Sequence, residues 1–349
     1  MSRTESPAES VEDPIEYFVQ DVGYHGKTER TQVAYERVLR QFEAFLGEGT
    51  TRAQGGLSID EATHRDCMEW VDSLRGGHAG STVATYASYL HRFYGYMMEV
   101  GVLESNPMTL VVEQIEESID TDPARREISI TEMREFVQEI RHPLDRAVVV
   151  TLLKTGLRVG ELCNLDVRDV NIEPEELDDE SEVRPQLTGQ ANTLYVSPEP
   201  SRGERTNGEE RTASNKRKRQ TVVPVDEELR SVLVEWLAVR PDPVSEADPL
   251  FVSTGDSWGH RLTTDMAHTV VTEHASDRGW YRTGGGAAEN VTPHYFRHFF
   301  TTHLRSETGD RGIVKYMRGD VAEDVIDTYT HNWGGSVRET YEESIYSLL

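Results

Sequence analysis

From Arg146 to Lys154 the chain carries Ala147, Val148, Val149, Val150, Leu152 and Leu153, so a helix formed here is apolar nearly all round. A helix of that kind suits a buried position, and the surrounding chain must cover it. Gly156 follows as a helix-ending glycine, and two residues later comes Arg158, in the stretch Thr155-Gly156-Leu157-Arg158-Val159-Gly160-Glu161-Leu162. The spacing predicts a fixed cation at a corner beside a buried helix. An ordinary surface ion pair is the competing reading of Gly-x-Arg at a helix junction.

With 349 residues the chain is long enough for two domains, each with its own core. It has no apolar run of membrane-spanning length, and the N-terminus lacks the apolar stretch of a signal peptide, so a soluble, cytoplasmic protein is expected. Cys67 and Cys163 lie far apart and match no metal-ligand spacing, which reads as two reduced thiols. The charge is the unusual quantity: 62 acidic against 36 basic residues, a formal net of −26. That sign opposes simple binding to a phosphate backbone, because lysine and arginine supply such binding by displacing counterions. A halophilic source resolves the conflict, since at about 1 M salt the Debye length shrinks to about 3 Å and a carboxylate-rich surface no longer repels distant phosphates.

The first dozen residues are polar and read as a disordered tail. From Pro14 apolar residues recur at helical steps: Ile15, Phe18 and Val22, then Tyr35, Val38, Leu39, Phe42, Phe45 and Leu46. A further element starts at Ser58 and runs through Cys67, Trp70, Val71 and Leu74, and a third begins near Ser81. Residues 13–110 thus read as a small helical domain and 111–126, with its acidic run, as a linker. A second domain opens at Ser129-Ile130-Thr131-Glu132, a plausible N-cap. The seven acids between Glu173 and Glu182 read as an exposed loop. Leu194 to Val196 and Thr221 to Val225 read as short strands, and Pro198 to Asn215 between them as a segment that is mobile or ordered only on a ligand.

Three further groups follow Arg158 in order. Asn215-Lys216-Arg217-Lys218-Arg219-Gln220 is a basic cluster just before the second strand. Thr292 and Pro293 open a helix on which His294 and Arg297, three apart, share one face. Tyr329 sits in Asp327-Thr328-Tyr329-Thr330-His331. Arginine, lysine, histidine, arginine and tyrosine in this order resemble the tyrosine recombinase family, the phage integrase-like DNA strand-exchange enzymes. The likeness covers nearly the whole chain past residue 13 and is strongest at 155–171 and 292–331.

The resemblance implies a mainly α protein with an α+β catalytic domain: a helical N-terminal core-binding domain, then residues 127–349 as the catalytic domain with a small antiparallel sheet and a C-terminal docking helix. It implies cleavage and rejoining of DNA strands through a 3′-phosphotyrosine link, with no cofactor, ATP or metal. Arg158 and Arg297 would clamp the scissile phosphate, since a guanidinium donates two parallel hydrogen bonds and keeps its proton. Glu161 would orient the nearby arginine. Lys216, selected by counting back from Pro224, would protonate the leaving 5′ oxygen, with Lys218 the open alternative. His294 would donate to the phosphate or move protons, and His298 and His303 read as packing residues. Tyr329 would be the nucleophile, with Tyr341 its rival.

Many relatives carry histidine where this chain has Asp320, nine residues before Tyr329. A carboxylate beside a phosphate is opposed by on the order of 4 kcal/mol at about 4 Å and an effective dielectric near 20, so Asp320 is expected to turn away. Arg318, Lys315 or His331 would then supply the missing donor. DNA contacts are assigned to Lys27, Arg30, Arg37, Arg40 and Arg92 in the first domain, beside His91, and to Arg217 and Arg219 in the basic cluster. The implied partners are double-stranded DNA at a specific site and further copies of the chain, as a homotetramer on paired sites and a monomer or dimer off DNA, with no membrane. Val337, Tyr341, Ile345 and Leu348 form an apolar stripe on the last helix, packed either on its own domain or on a neighbouring subunit. Two other functions stay open: a recombinase-derived DNA-binding regulator without turnover, and a type IB topoisomerase.

Overall fold

Asp13 opens the first helix by accepting, through its carboxylate, the N–H groups of Ile15 (3.0 Å) and Glu16 (3.1 Å), with Pro14 in the first turn. The computed structural model describes residues 13–25, 27, 29–51, 55–119, 124–172, 183–320 and 333–349. It divides into two units, Met1–Pro123 and Ala124–Leu349. Among the described residues no helix is long and apolar enough to cross a membrane.

The first unit contains helices α1 (Pro14–Tyr24), α2 (Glu29–Glu48), α3 (His64–Arg75), α4 (Gly80–Glu99) and α5 (Thr109–Gln114). Its core is aromatic: Phe18 meets Tyr35 and Phe93 edge-on at 5.4 and 5.5 Å, and Phe42 meets Trp70 at 5.1 Å. The element expected from Ser58 to Leu74 is broken. A single 3₁₀ turn spans Ile59–Glu61, Ala62 and Thr63 are extended, and α3 begins after Thr63, whose N–H donates to Asp66 at 2.8 Å. Part of the segment read as linker is packed into this unit, with Val111 on α5 buried and Glu117 ion-paired to Arg75 at 2.6 Å.

The second unit starts with a capping box, in which Ser129 Oγ accepts from the Glu132 N–H (3.2 Å) and the Glu132 carboxylate accepts from the Ser129 N–H (2.8 Å), launching α6 (Ile130–Glu139). Helix α7 (Pro143–Thr155) is the buried helix foreseen from its composition, with Ala147 through Val150, Leu152 and Leu153 all inaccessible to solvent. It lies among α8 (Val159–Cys163), α9 (Glu227–Val239), α10 (Thr264–Asp277) and α11 (Pro293–Thr308), followed by α12 (Arg311–Arg318) and α13 (Trp333–Ser344). The one charge buried on α7, Lys154, is fully paired: its Nζ lies 2.6 Å from Asp226, 2.7 Å from Glu228 and 2.6 Å from the Tyr346 carbonyl.

The sheet has three antiparallel strands in the order β1 (Val170–Asn171), β2 (Thr193–Val196) and β5 (Thr221–Pro224), with Leu194 opposite both Val170 and Val223. Between β2 and β5 the chain is folded, where the expectation was a segment mobile or ordered only on a ligand. It makes a hairpin of β3 (Arg205–Thr206) and β4 (Glu209–Glu210) around Asn207 and Gly208, which have φ of 54° and 81°, the conformation a two-residue primed turn requires. The hairpin is anchored by Arg211, whose guanidinium donates to Asp166 at 3.1 and 2.8 Å in full burial, while Arg261 donates to Asp166 and to Glu209 at 2.6 Å each. The acidic run 173–182 lies outside the described residues.

At the C-terminus, Val337, Tyr341 and Leu348 are buried in the core of their own unit. The expected docking stripe is therefore covered in cis, and α13 ends at Ser344, so Ile345 and Leu348 lie beyond the helix.

Candidate active site

Gly156 ends α7 with φ of 62°. A Cβ there would come within 2.3 Å of Phe300 Cδ1, so both the turn and the packing against α11 demand glycine. The turned carbonyl of Gly156 accepts from Arg297 Nη1 on α11 at 2.6 Å. Two residues on, Arg158 leads into α8. Its N–H and its Nη1 donate to the two oxygens of Glu161 at 3.0 and 2.8 Å, which fixes the guanidinium at the corner.

Glu161 is buried and shared. Arg217 Nε and Nη2 donate to its other side at 3.3 and 3.1 Å, while Arg217 Nη1 donates to the Met317 carbonyl at 3.1 Å. Burial pulls the Glu161 carboxyl upward, but Arg217 and Arg158 outweigh it and hold the group below the usual range. Arg217, assigned above to DNA, is thus an internal strut, completely buried as a side chain. Nothing local in a run of alternating lysine and arginine marks which residue turns inward. The choice is made by Gly319, where a Cβ would lie 2.6 Å from Arg217 Cγ, so its absence lets the arginine pass. With Arg217 inside, Lys216 and Lys218 on either side are exposed. The Lys218 N–H approaches the Gly319 carbonyl at 3.4 Å, which lays this turn against the end of α12.

Asp320 departs most from expectation. Arg158 Nη2 donates to its Oδ1 at 2.5 Å, Arg297 Nη2 lies 3.0 Å from both oxygens, and Arg318 Nε lies 3.0 Å from Oδ2. The carboxylate does not turn away; it bridges the two arginines proposed as clamps. Three guanidinium charges converge on it and decide its orientation. Burial pulls the Asp320 carboxyl upward, and Arg297, Arg318 and Arg158 together hold it below the usual range. Arg297 feels the opposite balance: burial, then the charge of Arg158, push it down to about 10 against the pull of Asp320.

Pro293 and the extended Thr292 start α11, putting His294 at its exposed end with Arg297 one turn inward. Partial burial, then Arg125, Arg297, Arg318 and Arg158, lower the His294 pKa, so its imidazole rests neutral and would gain a proton as an anion arrives. Arg125 was not foreseen here. Tyr295 Oη donates to the Arg126 carbonyl at 2.8 Å, which ties this stretch to α11, and Arg125 Nε is buried without a hydrogen-bond partner. The dibasic Arg125-Arg126 pair after an acidic run was the available signal.

Tyr329 and His331 lie outside the described residues. Tyr341 is not available as a nucleophile in this structure: it is fully buried, its hydroxyl donates to the Lys154 carbonyl at 3.0 Å, and burial pushes its pKa well above the usual value. His303 packs at 4.2 Å on the Phe299 ring. Lys315 and Arg219 lie on the surface or near it. In the first unit Lys27, Arg37 and Arg92 are exposed, Arg37 sits 5.8 Å over the Tyr86 ring, and Arg40 is occupied by ion pairs to Asp13 and Glu43. Arg30 stands on α2, its side chain outside the described set. Among the described residues no cluster of His, Cys, Asp and Glu forms a metal site.

The arrangement is a pair of guanidinium forks, one rigidly buried and one half-open, aimed at a single anion. Residues 17–101 match the family described as Phage integrase, N-terminal SAM-like domain, and residues 200–333 match the Phage integrase family. The chain is 24% identical over 331 residues, 92% of either chain, to the tyrosine recombinase XerC of Pelobacter propionicus. In fold it is similar to the Tn1549 transposon integrase in complex with a circular intermediate DNA, with a TM-score of 0.60 at 17% identity over 91% of this chain and 94% of that one. It is also similar to a lambda integrase tetramer bound to a Holliday junction, with a TM-score of 0.60 at 12% identity over 89% and 77%.

Proposed function

The chain belongs to the phage integrase family of tyrosine recombinases, and from that premise we infer that it is a site-specific DNA recombinase whose strand cleavage is centred on Arg158 and Arg297. The observation that carries the assignment is the convergence of these two guanidinium groups, one from the corner before α8 and one from α11, on the one carboxylate of Asp320. What holds a carboxylate this way can hold the two non-bridging oxygens of a phosphodiester. The charge on those oxygens grows as the pentacovalent transition state forms, and pre-oriented donors stabilise it without reorganisation.

In the proposed reaction Tyr329 attacks phosphorus, forming the phosphotyrosine bond while the bond from phosphorus to the 5′ oxygen breaks. The phenolic proton leaves to solvent or to a neighbouring base. A proton from Lys216, or from Lys218 on the same turn, goes to the departing 5′ oxygen, and His294 donates to a non-bridging oxygen once protonated. Attack by a 5′ hydroxyl reverses the step and reseals the strand, so the bond energy is retained in the covalent link. DNA is the partner, and a tetramer on paired sites is the assembly we propose, in keeping with the lambda integrase tetramer on a Holliday junction. The surplus of acidic residues supports operation in a high-salt cytoplasm, for which a haloarchaeal source is our reading.

The occupied clamp favours one second reading, a regulator that binds DNA without cutting it. Incubating the chain in high salt with a pool of randomised nicked duplexes, then sequencing the DNA that becomes covalently attached, separates the two. Adducts converging on one sequence, and lost in Tyr329→Phe, support the recombinase. Indiscriminate adducts indicate a topoisomerase, and binding with no adduct indicates the regulator.

A further inference from the structure

We propose that Asp320 is an internal competitor for the phosphate position: its carboxylate closes the site between Arg158 and Arg297, and a phosphodiester must displace it before chemistry begins. The inference rests on reading the two arginines as the phosphate clamp. The arginine donors that a diester's two non-bridging oxygens would use are already engaged, since Oδ1 accepts from Arg158 and Arg297 and Oδ2 accepts from Arg297, with Arg318 ion-paired beside it. Carboxylate and phosphate offer a guanidinium fork the same acceptor geometry, so the two compete directly.

The way Asp320 is mounted suits displacement. It follows the helix-ending Gly319, its N–H is held by the Lys315 carbonyl at 3.0 Å, and its side chain remains 27% exposed. The backbone is therefore fixed while the carboxylate has an open side, and a rotation about its side-chain bonds is enough to vacate the site. The arginines stay where they are after release, because Arg158 is still held by Glu161 and Arg297 by the carbonyls of Gly156 and Arg318. A closed resting state lowers apparent anion affinity by the fraction of molecules that are open. Lone anions are thereby screened out, whereas a phosphate delivered on DNA arrives with the support of all the other backbone contacts.

Sulfate binding to the full chain, measured by calorimetry in potassium chloride, tests this without DNA. Asp320→Asn and Asp320→Ser are expected to bind sulfate on the order of 10-fold more tightly than the native chain, and adding Arg158→Ala should remove the gain. Unchanged or weaker sulfate binding in a variant that keeps its native circular dichroism overturns the proposal. If neither variant folds, the native chain decides: sulfate binding tighter than about 1 mM that is lost in Arg158→Ala contradicts a closed site, and weaker binding agrees with it. The sulfate gain without any DNA adduct would leave the competitor standing and remove the strand-cleavage reading. Adducts formed equally by native chain and Asp320→Asn, with no sulfate gain, would do the reverse.

Discussion

Two clusters in the second unit are built alike, around one aspartate shared by arginines, and differ in nearly everything else. Asp166 with Arg211 and Arg261 is almost wholly enclosed, at 1%, 1% and 4% side-chain exposure, and Asn207, Glu209 and the carbonyls of Cys163 and Leu165 complete it. Asp320 with Arg158 and Arg297 has one deeply buried arginine, at 3% exposure, one arginine at 28% and a carboxylate at 27%. The first cluster is a rivet that closes the β3–β4 hairpin onto the domain. In the second, the aspartate stands where an outside anion can reach the same donors. Residue identity does not separate an enclosed ion cluster from an accessible one here; an open side and independent supports for each arginine do.

The largest effect should come from breaking the open cluster at its half-exposed arginine. Arg158→Ala is expected to slow adduct formation on a nicked duplex roughly 10²- to 10³-fold. It should barely move the melting temperature, because Glu161 keeps Arg217 and Asp320 keeps Arg297 and Arg318. A large loss of stability with cleavage intact would reverse the assignment. Asp166→Ala should show the mirror image. Two buried guanidinium groups lose their shared partner, and urea unfolding should register a loss of about 3–5 kcal/mol; a loss below about 1 kcal/mol would mean that the hairpin is not held by this rivet.

Asp320→Asn should cost less than that, on the order of 1 kcal/mol, since the group is partly solvated and its partners keep other acceptors. Its carboxyl is depressed in the folded state, so its contribution is present above the unfolded value near 4 and fades as pH falls through the lower folded value. Native chain and Asp320→Asn should therefore converge in stability as the medium is acidified. The smallest effect belongs to His294. Its folded pKa lies below its unfolded one, so the unfolded chain takes up the proton first and native stability declines as pH falls from about 6.5. His294→Gln should flatten that part of the stability-pH curve, and an unchanged slope would place the histidine in ordinary solvent.

The sequence made legible what depends on nearby residues. The helix-ending glycine before Arg158, the Thr292-Pro293 start and the shared face of His294 and Arg297 follow from helix geometry alone, as does the burial of α7. The hairpin at 205–210 carries a readable signal in Asn207-Gly208, whose primed-turn preference outweighs the reading of this segment as mobile or ordered only on a ligand. The orientation of Asp320 is not legible in its neighbours because three guanidinium groups set it, from α11, α12 and the corner before α8. No local pattern encodes that meeting. Arg217 escapes a local reading for the same reason: the gap left by Gly319, which only a residue without a Cβ can leave, lies about a hundred residues later in the chain and selects it as the strut. The aromatic core of the first unit was readable from its periodicity, but not the break at Ala62 and Thr63, which Asp66 imposes by capping the restarted helix.

The central claim is that Arg158 and Arg297 grip one scissile phosphate in the position Asp320 now fills. A structure of the full chain on a nicked duplex, with Tyr329 replaced by phenylalanine to stop cleavage, tests it most directly. The account predicts both guanidinium groups within hydrogen-bonding distance of the same phosphate and the Asp320 carboxylate swung clear. A scissile phosphate held elsewhere, with Asp320 still bridging the two arginines, would contradict it.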